Sequence, residues 1–195
     1  MITKVNDIGL KILSLFTNGF NKEHYIRQVE KMLRISSRSA LVNLDKLEKQ
    51  GILESQTKGK IKAYRIRDSL ISRESFILTE QYKKLRFLHS NQVIKEIIEK
   101  SDNLMHGIVI IFGSYAKGIQ KEDSDLDLFL IGRFEENSIK EIGIKYGIRI
   151  NMKSYPKSLF LKEFHEDILL KEILENHIII KGTEEFVREA KKWIR

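Results

Sequence analysis

The stretch GSYAKGIQKEDSDLD, residues 113–127, constrains this 195-residue chain more than any other. The apolar run IVIIF leads into it and LDLFLIG leads out of it. Each run is short, continuous and bounded by glycine or polar residues, the pattern of a buried strand. Asp125 stands just before the second run and Asp127 inside it. Side chains alternate across a strand, so the two carboxylates share one side, with Leu126 and Leu128 opposite. Held that close they repel unless a cation lies between them, and Mg²⁺ accepts such a pair while keeping water or phosphate oxygens in its other positions. Gly113 lets backbone approach a phosphate closely, and Ser114 offers it a hydroxyl and an N–H. Either signal alone is weak. Joined between two strands, they point to a nucleotide-handling site.

The spacing is Gly-Ser, ten residues (Tyr115 to Ser124), then Asp-x-Asp. It resembles the nucleotidyltransferase domain of the DNA polymerase beta superfamily, in its minimal nucleotidyltransferase branch. Lys117 and Gly118 match the basic residue and glycine usual there, and Ser124 the serine before the first aspartate. The resemblance covers roughly residues 90 to 195. It implies transfer of a nucleoside monophosphate from an NTP, with ATP the expected one, onto a hydroxyl or similar acceptor. Two metal ions would brace the attacking and leaving oxygens. On that likeness Asp125 and Asp127 are the catalytic, Mg²⁺-binding pair. Gly113 and Ser114 seat the triphosphate, and Lys117 and Ser124 complete the nucleotide-binding set.

The resemblance also implies a third acid on a later strand. The matching strand is GIRINMKSY, with Ile148, Ile150 and Met152 on one face and Arg149, Asn151 and Lys153 on the other. The acid's place is assigned to Arg149, with Asn151 as the second candidate position; neither is an acid. A guanidinium cannot ligate a metal or act as a base near neutral pH. Arg149 is expected to pair with the two aspartates or to bind a phosphate, leaving a weak or degenerate transferase site.

Net charge separates the two halves of the chain. Residues 1–68 hold 14 Lys or Arg against 7 Asp or Glu, whereas the whole chain carries only +8. Such asymmetry suggests that one half meets a polyanion. Ile8, Leu10, Ile12, Leu13 and Phe16 give a first helix a buried stripe, and Asn18-Gly19 ends it. A second helix is expected over residues 22–33. Ser36 or Ser37 can cap a third running to Gln50, where Gly51 supplies a left-handed stop. On that helix Ala40, Leu41, Leu44 and Leu47 gather on one side, with Arg38, Ser39, Val42, Lys46 and Lys49 opposite. ILESQ and IKAYRIR follow as two strand-like runs joined by Thr57-Lys58-Gly59-Lys60, a hairpin signal. This order of elements resembles a winged helix-turn-helix, which implies a recognition helix in the major groove and a wing on the backbone. Arg38, Ser39, Val42, Lys46, Lys49, Lys58 and Lys60 are the expected contacts to double-stranded DNA.

The fold class expected is therefore α+β in three parts. Residues 1–68 form a winged helix-turn-helix, 69–103 a helical connector, and 104–195 a nucleotidyltransferase-like domain with a mixed sheet flanked by helices. FLKEFHEDILLKEILEN reads as an amphipathic helical stretch, HIIIKG as a short strand, and TEEFVREAKKWIR as a last helix capped by Thr183 and packed through Trp193. His24, His89, His106, His165 and His177 lack metal-ligand spacing, and with no cysteine there are no disulfides or thiolate metal sites. No membrane span or secretory signal is evident, so a soluble cytoplasmic protein is expected. The readings that follow are a transcriptional regulator with a degenerate, nucleotide-sensing transferase domain, an active Mg²⁺-dependent transferase, or the antitoxin-like partner of a HEPN-type toxin. A homodimer on the connector is a further candidate.

Overall fold

The computed structural model describes residues 5–162 and 167–190. It divides between Glu80 and Gln81, and again between Phe186 and Val187, into two compact units. His165 and Trp193 lie outside the described residues.

The first unit holds three helices and a small sheet. Helix α1 (Asp7–Thr17) starts where the Asn6 side chain accepts from the Gly9 N–H. Strand β1 (His24–Tyr25) comes next, then α2 (Ile26–Leu33) and α3 (Ser37–Lys49). The second helix is thus shorter than its periodicity predicts, because His24 and Tyr25 pair with Tyr64 and Ala63 instead. Ser36 caps α3 by accepting from Ser39. Ala40, Leu44 and Leu47 of α3 are buried, but Leu41 is 40% exposed and does not belong to that core. Strands β2 (Leu53–Lys58) and β3 (Ile61–Ile66) form an antiparallel hairpin turning at Gly59-Lys60, giving the sheet order β1-β3-β2.

A polar cluster ties α3 to this hairpin. The Lys62 ammonium lies 3.0 Å from Asp45 and 2.7 Å from Glu48, and the Tyr64 hydroxyl donates to Asp45 at 2.6 Å. The Tyr64 hydrogen bond leads in holding the Asp45 carboxyl below its ordinary range. Burial and the same bond push the Tyr64 phenol up to about 12.

Helix α4 (Leu70–Ser90) crosses the division, inside the stretch expected to be helical connector, and α5 (Gln92–Ser101) follows. The second unit is built on a four-stranded sheet, order β6-β5-β4-β7. Strand β4 (Met105–Phe112) runs into the short helix α6 (Gly113–Lys117), and a loop leads to β5 (Leu126–Phe134). Helix α7 (Glu136–Lys145) then returns the chain to β6 (Ile150–Ser154). After α8 (Lys157–Lys162) and α9 (Ile168–Glu175) come β7 (Ile178–Lys181) and α10 (Thr183–Ala190). β4 is antiparallel to β5 and β7, whereas β5 and β6 are parallel, so the sheet is mixed.

Alternation along β5 sorts the two faces. Leu126, Leu128 and Leu130 join Ile94, Ile97 and Ile98 of α5 and Ile139 of α7 in one core. Phe129 on the other face meets Tyr155 and Phe160 at ring distances of 5.3 and 6.5 Å. Asp127 shares that second face. Asp167, the last residue of the FLKEFHED run, caps α9 by accepting from the Leu170 N–H. Thr183 does not cap the last helix: the Gly182 carbonyl accepts the first helical bond, while the Thr183 hydroxyl accepts from Gln81.

Candidate functional site

Asp125 and Asp127 lie at the mouth of β5, where three neighbouring segments converge. β4 ends beside them, and Phe112 pairs with Asp127 across the ladder. The chain then turns at Gly113 with φ +68°, into α6. A Cβ on Gly113 would lie 2.2 Å from the Asp127 Oδ2. The aspartate is therefore seated against bare backbone, which only glycine provides in this conformation.

The third segment is β6. Its parallel register sets Asn151 opposite Asp127, and Leu126 opposite Ile150. The Asn151 Nδ2 donates to Asp125 Oδ2 at 3.1 Å and to Asp127 Oδ1 at 3.3 Å. Asn151, the second candidate position for the third acid, thus lies between the two carboxylates. Arg149 precedes the strand and its side chain is 79% exposed, and its Nε makes the expected ion-pair contact with one aspartate, Asp125, at 3.9 Å. It remains within reach of the pair electrostatically, but the position between the carboxylates belongs to Asn151.

The other expected residues spread along the rim. Ser114 is half-buried on the first turn of α6. Lys117, at the end of that helix, pairs with Glu172 of α9 at 2.7 Å rather than standing free for a phosphate. The Ser124 hydroxyl accepts from the Lys121 N–H at 2.8 Å, closing the loop before Asp125. Phe112, Gly113, Asp127, Asn151, Lys153 and Glu172 are among the residues lining a cleft of about 540 Å³. Lys153 and Glu172 carry charge into this cleft, and neither stood out from sequence pattern. Lys153 could have been found, because it shares the strand face of Asn151.

Burial leads in raising the Asp127 carboxyl above its ordinary value, helped by the charges of Asp125 and Glu172. The Asn151 hydrogen bond and Lys117 oppose this. Among the described residues no group of three or more His, Asp or Glu side chains is placed to hold a metal. Two carboxylates on one face do suit a single hard divalent cation, which completes its shell with water and phosphate oxygens. Asp125 and Asp127 are the residues that would hold it.

On the first unit, Arg38, Val42, Lys46 and Lys49 are exposed along α3, with Val42 57% accessible. Ser39 is half-buried within the helix cap. Lys60 is exposed at the hairpin turn, while Lys58 is drawn into an ion pair with Glu23 at 2.6 Å. Ile61 beside the turn is 55% exposed, a feature its apolar character hid in sequence. Among the described residues no helix is long and apolar enough to cross a membrane.

Comparison with known proteins agrees with the second unit. The family model described as polymerase beta nucleotidyltransferase matches residues 92–186. A Methanocaldococcus jannaschii protein named "Putative protein adenylyltransferase MJ0604" is 29% identical over 93 residues, covering 42% of this chain and 93% of its own. Among solved structures, the archaeal chromatin protein TrmBL2, whose title speaks of a novel mode of DNA binding, covers 84% of this chain and 68% of its own. Its identity is 18% and its TM-score 0.29, too low to speak for a shared fold. Residues 92–186 of this chain form a polymerase-beta-like nucleotidyltransferase domain.

Proposed function

We propose that this protein is a DNA-binding regulator whose nucleotidyltransferase domain binds an NTP with one divalent cation and turns it over weakly or not at all. The observation that carries the reading is the contact of the Asn151 amide with both aspartates. An acid at that position could ligate a metal or take a proton from an acceptor hydroxyl, and an amide does neither. Gly113 backbone, the Asp pair and the open cleft still suit a triphosphate and its cation. The bound cation would supply charge neutralisation between the phosphates and the two carboxylates. Arg149 and Lys153, both exposed at this edge of the site, add positive charge for phosphate.

The reading of the first unit as a winged helix-turn-helix is supported by its element order and its sheet order β1-β3-β2. The exposed set on α3 and the turn at Gly59-Lys60 supply cations to duplex phosphates, with Val42 available to a base methyl group. The test has two arms on the full-length chain. Duplex binding measured from low to moderate salt is expected to weaken steeply as salt rises. Labelled ATP with Mg²⁺ or Mn²⁺ and candidate acceptors is expected to bind without robust transfer. Robust transfer that disappears in Asp127→Asn would overturn the weak-site reading.

A second reading is adenylyl transfer onto a protein side-chain hydroxyl, favoured by the similarity to the M. jannaschii protein and its printed name. It differs in outcome. Label from α-phosphate-marked ATP would appear on a protein partner, and a HEPN-type toxin is the first acceptor to offer.

A further inference from the structure

We propose that Asn151 restricts the site to a single divalent cation, and that its replacement by aspartate creates a second cation position. This rests on the reading of Asp125 and Asp127 as metal ligands.

The orientation of the Asn151 amide follows from its neighbours. Nδ2 is 3.1 and 3.3 Å from one oxygen of each aspartate, and its two N–H groups satisfy both. Turning the amide over would set a third oxygen lone pair about 3 Å from two anionic oxygens, with no proton between them. The donor face therefore stays toward the carboxylates and the amide oxygen away from them. The ladder that pairs Ile150 with Leu126 and Met152 with Leu128 sets the Asn151 backbone beside the pair, and the two hydrogen bonds hold its side chain between them. Its amide thus spans the gap between the carboxylates, supplying partial positive charge and no ligand.

The charge balance points the same way. The aspartates bring two negative charges, which one divalent cation neutralises. Phosphate oxygens can complete a cation's shell, but a second cation anchored by the protein itself needs another anionic side chain. Glu172, the further acid lining the cleft, is held to Lys117 at 2.7 Å. Asparagine and aspartate have nearly the same shape, so Asn151→Asp would put a third carboxylate within about 3.3 Å of the other two. Three carboxylates so placed repel strongly in the absence of cations, and their oxygens suit the hard divalent ions that bridge phosphates.

The experiment counts Mn²⁺ bound per chain by electron paramagnetic resonance, with and without a non-hydrolysable ATP analogue, for wild type, Asn151→Asp and Asn151→Ala. Expected counts with analogue are one for wild type, two for Asn151→Asp and one for Asn151→Ala, which removes the amide without adding charge. Melting in EDTA should occur at lower temperature for Asn151→Asp than for wild type, with recovery on adding Mn²⁺. Two ions on wild type or on Asn151→Ala would overturn the proposal, as would a single ion on a folded Asn151→Asp. Should Asn151→Asp not fold even with Mn²⁺, the counts for wild type and Asn151→Ala still decide whether the native amide site takes one ion. Failure of the analogue to bind, with Mn²⁺ alone rising from one to two between wild type and Asn151→Asp, would sink the nucleotide reading and leave the role of Asn151 standing.

Discussion

Replacing Gly113 with alanine strikes the point where the two halves of the site meet. Two costs add. An L-residue held at φ +68° pays roughly 1–2 kcal/mol in backbone strain. The new Cβ also falls 2.2 Å from Asp127 Oδ2, so the carboxylate must retreat by about 1 Å to reach ordinary contact. Overpacking of that kind costs about 1–3 kcal/mol. Gly113→Ala should therefore lose about 2–5 kcal/mol in wild type. With Asp127→Ala the nearest of these atoms is the Cβ at 3.4 Å, an ordinary contact, and only the strain of roughly 1–2 kcal/mol should remain. Denaturant unfolding of the four proteins of this double-mutant cycle gives the coupling directly. A Gly113→Ala cost that is equal in both backgrounds would refute the claim that Gly113 exists to seat Asp127.

Because burial raises the folded-state Asp127 carboxyl, its ionisation costs stability as pH rises through that value, and the penalty is absent below about pH 4. Asp127→Asn should therefore raise the melting temperature at pH 7 in EDTA, with the gain fading below about pH 4; a gain that persists there would contradict it. In the first unit Tyr64→Phe removes the 2.6 Å bond to Asp45, a partly exposed carboxylate, and should cost about 1 kcal/mol in urea unfolding at pH 7. Asp45 is held low in the folded state, so that cost should shrink as pH falls through its depressed value, and a constant cost down to pH 2 would count against the assignment. Lys60→Ala should flatten the log–log salt slope of duplex binding by roughly 0.9, the value of one phosphate contact. Lys58→Ala should flatten it less, because Glu23 already holds that ammonium; an equal effect of the two would place Lys58 on the phosphates as well.

What the sequence disclosed of the site was what strand alternation determines. Asp125 and Asp127 could be put on one side of β5, and Gly113 beside them, from local pattern alone. The choice between Arg149 and Asn151 was a different problem. The two stand two residues apart in sequence, so strand parity cannot separate them. Only the β5–β6 register does, and that depends on where the turn after α7 releases the chain. The partners of Lys117 and Lys58 were invisible for a related reason: Glu172 and Glu23 stand 55 and 35 residues away. In the first unit the apolar spacing of α3 gave its buried stripe except at Leu41, which sits at the edge where the stripe meets solvent. Strand β1 is two residues long and has no period to read; its existence depends on pairing with Tyr64 and Ala63.

On the proposed reading, Asp125 and Asp127 bind a nucleotide through a divalent cation. Titration calorimetry of the full-length chain with ATP and Mg²⁺, repeated in EDTA and on Asp125→Asn/Asp127→Asn, tests it most directly. Binding by wild type that needs Mg²⁺ and vanishes in the double variant, while that variant melts no lower than wild type, is the expected result. No binding by wild type, or binding unchanged when both carboxylates are gone, would contradict it.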